Sequence, residues 1–295
     1  MPAERIPVTC RPARPADTSD VMELTRTIWE GHDYVPHVWS DWLADPEGLL
    51  AVAEYEGRVL GLGKLTRITA QDWWLEGLRT HPEYEGRGIA SSLHNYLLGL
   101  WERTIGSSVL RFATASYRLP VQRLAERTGF HRTGELVPHR APARKDPAAA
   151  GRFRPVKPEE AQAALEQARA GFTADAVWDL MDLGWQWACP HMEALMDSIH
   201  SGRAWWWQDQ HLLLGIEDED DDDGHRILMV QMLTCPASEA AGCLHDFRAL
   251  AGALDYPEAG WAAPAQSTLL AALQQAGFTR SWDASILIYA RSKDE

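Results

Sequence analysis

The chain has 295 residues, of which 45% are hydrophobic and 24% charged, and its formal net charge is −14. These values are typical of a globular protein of one large or two ordinary domains, and the acidic excess argues against broad binding to nucleic acid, which is itself a polyanion. No apolar run approaches the ~18 residues that a membrane-spanning helix needs, and the opening residues MPAERIPVTCRPARP contain no apolar signal core.

Cysteine usage also points to an intracellular protein. Cys10, Cys189, Cys235 and Cys243 are scattered without CxxC spacing, which predicts reduced thiols in the cytoplasm rather than a disulfide framework or a zinc site. The acidic run Glu217–Asp223 lacks the glycine and the terminal glutamate of a calcium loop, so we interpret it as a solvated loop tip. No metal site is expected.

Strand and helix signals alternate through the first half of the chain. Apolar stretches of strand length alternate with stretches of helical period, and Glu56-Gly57 is a hairpin signal. In chain order, the predicted elements are a strand at Val8–Arg11, a helix at Ala16–Glu30 capped by Asp17 or Thr18, strands at Leu49–Glu54, Val59–Thr66 and Trp73–Arg79, a helix at Gly88–Trp101, a strand at Val109–Thr114, a helix at Val121–Arg127 and a strand at Phe130–Leu136.

Two short motifs of the first half recur in the second half in the same order. RPARPAD at 11–17 matches RPVKPEE at 154–160, and LAERTGFHR at 124–132 matches LQQAGFTR at 273–280, with separations of 143 and about 148 residues. Two matches at nearly one offset indicate an internal duplication. We therefore predict a first domain at 1–142, a linker at 143–152 that is rich in Pro, Ala and charge, and a second domain at 153–295.

A glycine-rich turn precedes the predicted helix at Gly88–Trp101. Gly86 and Gly88 allow unusual φ angles and a close approach to the main chain, and Ala90 and Ser91 keep the first helical turn low. Since the first backbone N–H groups of a helix lack partners, this turn is suited to hold a diphosphate. A Walker loop is excluded by the missing Gly-Lys-Ser/Thr ending, and a dinucleotide fingerprint by the absence of a third glycine. The corresponding place in the second half reads CPASEAAG, without Gly-x-Gly.

The segment LRTHPEYEGRGIASSL at 78–93 resembles the GNAT superfamily of acyl-CoA-dependent N-acyltransferases, whose loop is Gln/Arg-x-x-Gly-x-Gly/Ala. Glu85 departs from the polar or basic group usual at the first position. The resemblance implies an α/β (α+β) GNAT fold, with a mixed central sheet and flanking helices, followed by a degenerate second unit. It also implies that acetyl-CoA is held by the loop and by the main chain of the preceding strand, at Leu78, Thr80, Glu85, Gly86, Arg87, Gly88, Ile89, Ala90 and Ser91.

The resemblance also suggests catalytic groups. A glutamate at the strand position of Glu76 often serves the family as a base through water, with Asp33 and His32 as alternatives here. The tyrosine that usually protonates the leaving thiolate is replaced by Ala125. Tyr117 is a candidate replacement, although a thiol with a pKa of about 8.5 can also leave without a protein acid.

The acceptor site is suggested by GHDYVPHVWSDWL at 31–43, which is similar to histidine N-acetyltransferase-like members of the superfamily. The resemblance makes Asp33, Tyr34, His37 and Trp39 substrate-binding candidates. His37 and Arg79 are both able to meet a substrate carboxylate.

The sequence therefore predicts an N-acetyltransferase that moves an acetyl group from acetyl-CoA to a primary amine of a small molecule or amino acid by direct attack. A histidine-like acceptor is the first hypothesis, with an aminoglycoside or a protein N-terminus as rivals. A non-catalytic acyl-CoA sensor and a purely structural tandem remain open. No nucleic-acid or membrane partner is expected, and a monomer and a homodimer are equally compatible with the sequence.

Overall fold

The structure is a computed structural model that describes residues 4–104, 106–170, 180–219 and 224–293. The elements of the first half are strands β1 (Thr9–Pro12), β2 (Leu49–Tyr55), β3 (Arg58–Arg67), β4 (Asp72–Thr80), β5 (Ser108–Ala115) and β6 (His131–Pro142), and helices α1 (Thr18–Thr25), α2 (Val35–Ala44), α3 (Ile89–Glu102) and α4 (Leu119–Arg127).

The second half repeats this order of elements, with four elements added. It contains α5 (Pro147–Ala150), β7 (Phe153–Pro155), α6 (Ala161–Arg169), β8 (Met181–Asp182), β9 (Trp187–Ala188), α7 (Met192–His200), β10 (Ala204–Trp207), β11 (His211–Glu219), β12 (Arg226–Leu233), α8 (Ala237–Ala253), β13 (Glu258–Pro264), α9 (Ser267–Gln275), β14 (Thr279–Arg280) and β15 (Ile286–Lys293). The added elements are α5, β8, β9 and β14. Of the predicted acidic loop tip, residues 217–219 belong to β11 and residues 220–223 lie outside the described part of the chain.

Contacts divide the chain into two compact units that are not continuous in sequence. The first unit comprises Met1–Phe112, Leu124–Phe130 and Arg291–Glu295, and the second comprises Ala113–Arg123 and His131–Ala290. The boundaries predicted from the repeats, 1–142 and 153–295, stay a prediction. No helix in the described ranges is long and apolar enough to cross a bilayer.

In the first unit, strands β1 to β4 pair antiparallel in sequence order, and β5 pairs with β4 in parallel. Alternation along β3 assigns its two faces. Leu62 joins the core under α1 and α2, whereas a Cβ on Gly61 or Gly63 would lie 2.9 Å from side chains of α3. Small residues at these two positions let α3 pack close to the sheet.

In the second unit, the strands lie in the order β7, β10, β11, β12, β13, β6, β15. Among the pairings of the described residues in this series, β12–β13 is parallel and the others are antiparallel. One core lies against α8 and α9 around Phe247 and Leu273, and another lies against α6 and α7 around Leu165 and Leu195. Each unit is thus a mixed sheet with flanking helices, as the predicted fold class requires.

The predicted helix at Ala16–Glu30 is shorter than expected. Helix α1 ends at Thr25, and Trp29 and Glu30 take left-handed φ angles of 49° and 59° before Gly31 at 95°. Helical periodicity does not reveal this break, because the apolar residues Ile28 and Trp29 continue the pattern. The break positions Trp29 at the site described next.

Candidate active site

Strand β4 separates from β5 halfway along its length. The parallel pairing comprises three register pairs, from Asp72↔Val109 to Trp74↔Arg111, and β4 residues 76–80 have no β5 partner among the described residues. The main chain of Leu78 and Thr80, predicted to bind the acyl-CoA arm, lies on this diverging segment. The main chain on such an edge can bind an extended ligand, and the carbonyl oxygen of Leu78 here also accepts a 3.4 Å hydrogen bond from Nη1 of Arg79.

A bulge in β4 puts two charged residues on the same face. Lys64 pairs with Glu76 and Leu62 pairs with Arg79, so a step of two residues along β3 corresponds to three residues along β4. Gly77, at the bulge, has a φ of 62°, and any side chain there would collide with the indole ring of Trp42. Residues three apart on a regular strand face opposite sides, but the extra residue brings Glu76 and Arg79 together beside the segment before α2.

Arg79 forms a two-point ion pair with Asp33. Its Nε lies 2.9 Å from Oδ2 and its Nη2 lies 3.1 Å from Oδ1 of Asp33, whose side chain is fully buried. Bidentate pairs of this kind are geometrically selective. The carboxylate of Asp33 also accepts a 3.2 Å hydrogen bond from the backbone N–H of Val35, so Asp33 fixes both the guanidinium and the start of α2.

Aromatic rings surround the guanidinium of Arg79. Its Cζ lies 4.4 Å from the ring centroid of Trp29 and 5.2 Å from that of Tyr34. The Tyr34 ring stacks on Trp29 at 6.5 Å and meets Trp42 edge-on at 6.0 Å. Trp29 is 48% exposed and Tyr34 37% exposed, while Trp42 is buried. Two amphipathic rings therefore face solvent next to a held cation.

Glu76 is half-buried and hydrogen-bonds with the hydroxyl of Thr66 on β3. Burial of the Tyr34 hydroxyl raises the pKa of Tyr34 to about 12, and the negative charge of Glu76 adds to this shift. Tyr34 is therefore a neutral phenol near neutral pH, able to donate a hydrogen bond. The carboxylate of Glu76 is the group of this cluster that can accept a proton.

The glycine turn has the unusual backbone that the sequence predicts. Gly86 and Gly88 have φ angles of 76° and 88°, and Gly88 is the N-cap of α3. The backbone N–H groups of Ile89, Ala90 and Ser91 have no hydrogen-bond acceptor among the described residues, and the first α3 bond runs from Ser92 N to Gly88 O at 3.0 Å. Free donors at a positively polarised helix end fit a phosphate group.

The other predicted residues have the following places. His32 and His37 are exposed, and His37 lies on α2. Trp39 is 3% exposed and its indole N–H donates a 3.0 Å hydrogen bond to Thr18, so it lies in the core. Tyr117 belongs to the second unit, is 61% exposed and packs edge-on against Trp282 at 6.3 Å.

Two residues that contact Arg79 and Glu76 were not predicted from the sequence: Trp29 and Thr66. Trp29 continues a helical apolar pattern, and Thr66 is an ordinary strand residue, so neither carries a recognisable signal. No group of three or more His, Cys, Asp or Glu side chains in the described ranges is placed to hold a metal ion.

Comparison with known proteins identifies this part of the chain. Residues 18–130 match the model of the acetyltransferase (GNAT) family. This segment is similar to the GNAT family. The chain is 31% identical over 102 residues to human probable N-acetyltransferase 16, and 32% identical over 78 residues to a histidine N-acetyltransferase of Oreochromis niloticus. The matched stretches are 34% and 26% of this chain but only 28% and 23% of those relatives.

Solved structures extend the likeness of fold to nearly the whole chain. A GCN5-related N-acetyltransferase from Sphaerobacter thermophilus has a TM-score of 0.61 at 12% identity, covering 98% of both chains. A tandem GNAT protein from the clavulanic acid biosynthesis pathway has a TM-score of 0.57 at 13% identity, covering 97% of this chain and 98% of its own. The predicted GNAT fold with a second GNAT-like unit is thereby confirmed.

Proposed function

We propose that the first unit transfers the acetyl group of acetyl-CoA to the primary amine of a small molecule by direct attack. The observation that carries the proposal is that unpaired N–H groups at the start of α3 follow the diverging end of β4, where residues 77–80 have no β5 partner in the described part of the chain. The turn would hold the diphosphate, and the edge of β4 at Leu78 and Thr80 would bind the arm that leads to the thioester.

Glu76 is the proposed base. An amine attacks a thioester only when neutral, and amines are mostly protonated at neutral pH, so a proton must leave. Glu76 is held by Thr66 on the face of β4 that also carries Arg79. It removes the proton directly or through one water. Asp33 is occupied by Arg79, which makes it a positioning group rather than a base.

The acceptor we propose carries a carboxylate and a flat ring, as histidine does. Arg79 uses Nε and Nη2 for Asp33, and its Nη1 donates a 3.4 Å hydrogen bond to the carbonyl oxygen of Leu78, which leaves the second N–H of Nη1 to bind a carboxylate. The exposed rings of Trp29 and Tyr34 offer a surface on which an imidazole can stack. The similarity to histidine N-acetyltransferases supports the same choice.

The test measures thiol release from acetyl-CoA by the full chain with histidine, histamine, other amino acids, an aminoglycoside and a peptide with a free N-terminus. We expect histidine to react faster than histamine, which differs from it only by the carboxylate. Turnover of histamine and histidine at equal rates would remove Arg79 from the acceptor site. Turnover with the aminoglycoside alone would show that the acceptor is an aminoglycoside rather than a histidine-like amino acid.

One observation favours a second candidate, a non-catalytic acyl-CoA sensor. The residue of α4 at the place of the family's usual acid is Ala125, which is 1% exposed and offers no proton. A sensor would bind acetyl-CoA without releasing thiol in the presence of any amine of the panel. Binding and turnover measured on the same sample therefore separate the two functions.

A further inference from the structure

The segment Glu4–Val8 crosses the glycine turn. The backbone N–H of Ile6 donates a 3.3 Å hydrogen bond to the carbonyl oxygen of Arg87. The side chain of Arg5 lies over Gly88, since a Cβ on Gly88 would be 3.5 Å from Cγ, 3.6 Å from Cδ and 3.7 Å from Nε of Arg5. An arginine that is distant in sequence is thus placed at the N-cap of α3.

The guanidinium of Arg5 has no ion-pair partner among the described residues. Neither a carboxylate within 4 Å nor a hydrogen-bond acceptor is found for it there. Arg87 lies on the turn itself, with its Cζ 5.3 Å from the ring centroid of Tyr84. Like Arg5, it has no ion pair with a carboxylate of the described residues. A cation next to the positive end of a helix is unfavourable by itself. An anion between the two would be attracted by both.

We propose that Arg5 binds the diphosphate of the acyl-CoA, in place of the basic side chain that Glu85 does not provide. The inference rests on the proposed function, since it names a further binding residue for the same ligand. The backbone N–H groups at the start of α3 bind the diphosphate, and the guanidinium of Arg5 binds it next to Gly88. The hydrogen bond from Ile6 to Arg87 holds the segment in place.

The geometry selects the diphosphate over the 3′-phosphate of coenzyme A. Three consecutive side-chain atoms of Arg5 lie within van der Waals distance of the N-cap position, and the proposed function places the diphosphate at that same N-cap. Guanidinium groups bind phosphate oxygens with two parallel N–H bonds. Removal of the guanidinium should therefore weaken every ligand that contains the diphosphate.

The experiment is calorimetric titration of the full chain with coenzyme A and with 3′-dephospho-coenzyme A. For Arg5→Gln we expect both dissociation constants to rise about three- to tenfold, the loss typical of one exposed charge-assisted contact. Arg5→Lys should recover part of this loss. The matched control is Arg58→Gln, which removes an exposed arginine at the start of β3 and should leave both dissociation constants unchanged.

The outcomes separate the inference from the proposed function. If the wild-type chain binds neither ligand, the proposed function fails. If the wild-type chain binds both and Arg5→Gln binds them equally well, or loses affinity only for coenzyme A with its 3′-phosphate, the assignment of Arg5 to the diphosphate is wrong. A thermal melt of each variant verifies that the change did not unfold the chain, which is expected because Arg5 is exposed.

Discussion

The helix that follows β4 and the helix that follows β12 begin in different ways. The N-cap of α3 is Gly88, in a left-handed conformation. The N-cap of α8 is Pro236, whose φ of −65° is ordinary and which lacks a backbone N–H. Each strand pairs in parallel with its neighbour over three residues and then diverges. Glu76 lies two residues after the last β4–β5 pair, and Gln231 lies two residues after the last β12–β13 pair, so the two residues occupy corresponding positions.

This difference shows which parts of a GNAT unit are needed for the fold alone. The second unit keeps the three-pair parallel junction and the helix after it, but it has a buried amide where the first unit has a carboxylate. Gln231 is 7% exposed and its side-chain oxygen accepts a 2.8 Å hydrogen bond from Ser198. The sheet and helix are compatible with either residue, whereas the proton removal that we propose for Glu76 requires the carboxylate.

The largest effect is expected from exchanging these two residues. Glu76→Gln should lower turnover about 100-fold or more, as loss of a general base does, with the affinity for acetyl-CoA unchanged. Gln231→Glu added to this variant should not restore turnover, since α8 lacks the glycine turn that we propose holds the ligand. Steady-state thiol release together with calorimetry measures both. Recovery of turnover in the double variant would show that the second unit is also an acetyltransferase site.

The free energy of unfolding of the first unit is expected to fall in acid. Burial lowers the pKa of His94 on α3 to about 4 from 6.5, with a contribution from the positive charge of Arg291, and its Nε2 lies 2.8 Å from the Thr128 hydroxyl. Between these pH values the unfolded chain binds the proton and the folded chain does not, so stability falls as pH decreases from 6.5 to 4. The total loss is about 3 kcal/mol.

Chemical unfolding at several pH values measures this loss. His94→Gln keeps a polar group near Thr128 but cannot titrate, so its stability should fall less between pH 6.5 and 4. The matched control His200→Gln changes an exposed histidine of the second unit and should retain the wild-type slope. An unchanged slope in His94→Gln would show that another group causes the acid lability.

The glycine turn itself is tested by a pair of alanine variants. Gly88→Ala forces a Cβ into a φ of 88° and should raise the dissociation constant for coenzyme A about tenfold while costing about 1 kcal/mol of stability. Gly57→Ala meets the same backbone strain at a φ of 79°, with nothing within 4 Å of its Cβ. It should lose similar stability and keep its affinity. Equal affinity losses in both variants would contradict a local role of the turn.

The smallest effect is expected at Trp29. Trp29→Ala should raise KM for the acceptor about threefold to fivefold, in line with the loss of one ring contact of about 0.5–1.5 kcal/mol, without changing the affinity for acetyl-CoA. Trp185 is the matched control, because it is 57% exposed and also has a positive φ, of 64°, but it lies in the second unit. If Trp185→Ala changed KM by the same factor, the proposed contact of Trp29 with the acceptor would be contradicted.

Sequence reasoning reached the glycine turn by a local rule and Glu76 by resemblance to a family. A Gly-x-Gly before a helical pattern predicts its backbone by sterics alone, whereas Glu76 was suggested because the family often has a glutamate at this strand position. The association of Arg79 with Asp33 and Trp29 could not be reached in this way. It depends on a one-residue bulge at Gly77 and on a helix that ends four residues before Trp29, and tertiary contacts decide both.

The position of Arg5 illustrates the same limit. Nothing in the sequence relates an exposed arginine near Ile6 to a turn some eighty residues later, since the connection is one backbone hydrogen bond and a van der Waals contact. The departure at Glu85 was visible in the sequence, but its compensation by another part of the chain was not.

The non-contiguous composition of the two units has a consequence for biogenesis. Residues 291–293 belong to the first unit, where Arg291 and Lys293 bind Glu102 and Thr104, while β6 pairs with β13 and β15 in the second unit. The contacts that residues 286–293 make in the two units can therefore form only after this segment has been synthesised. During translation, the partly made sheet would expose unpaired strands, and chaperone dependence or slow maturation should accompany expression of this protein.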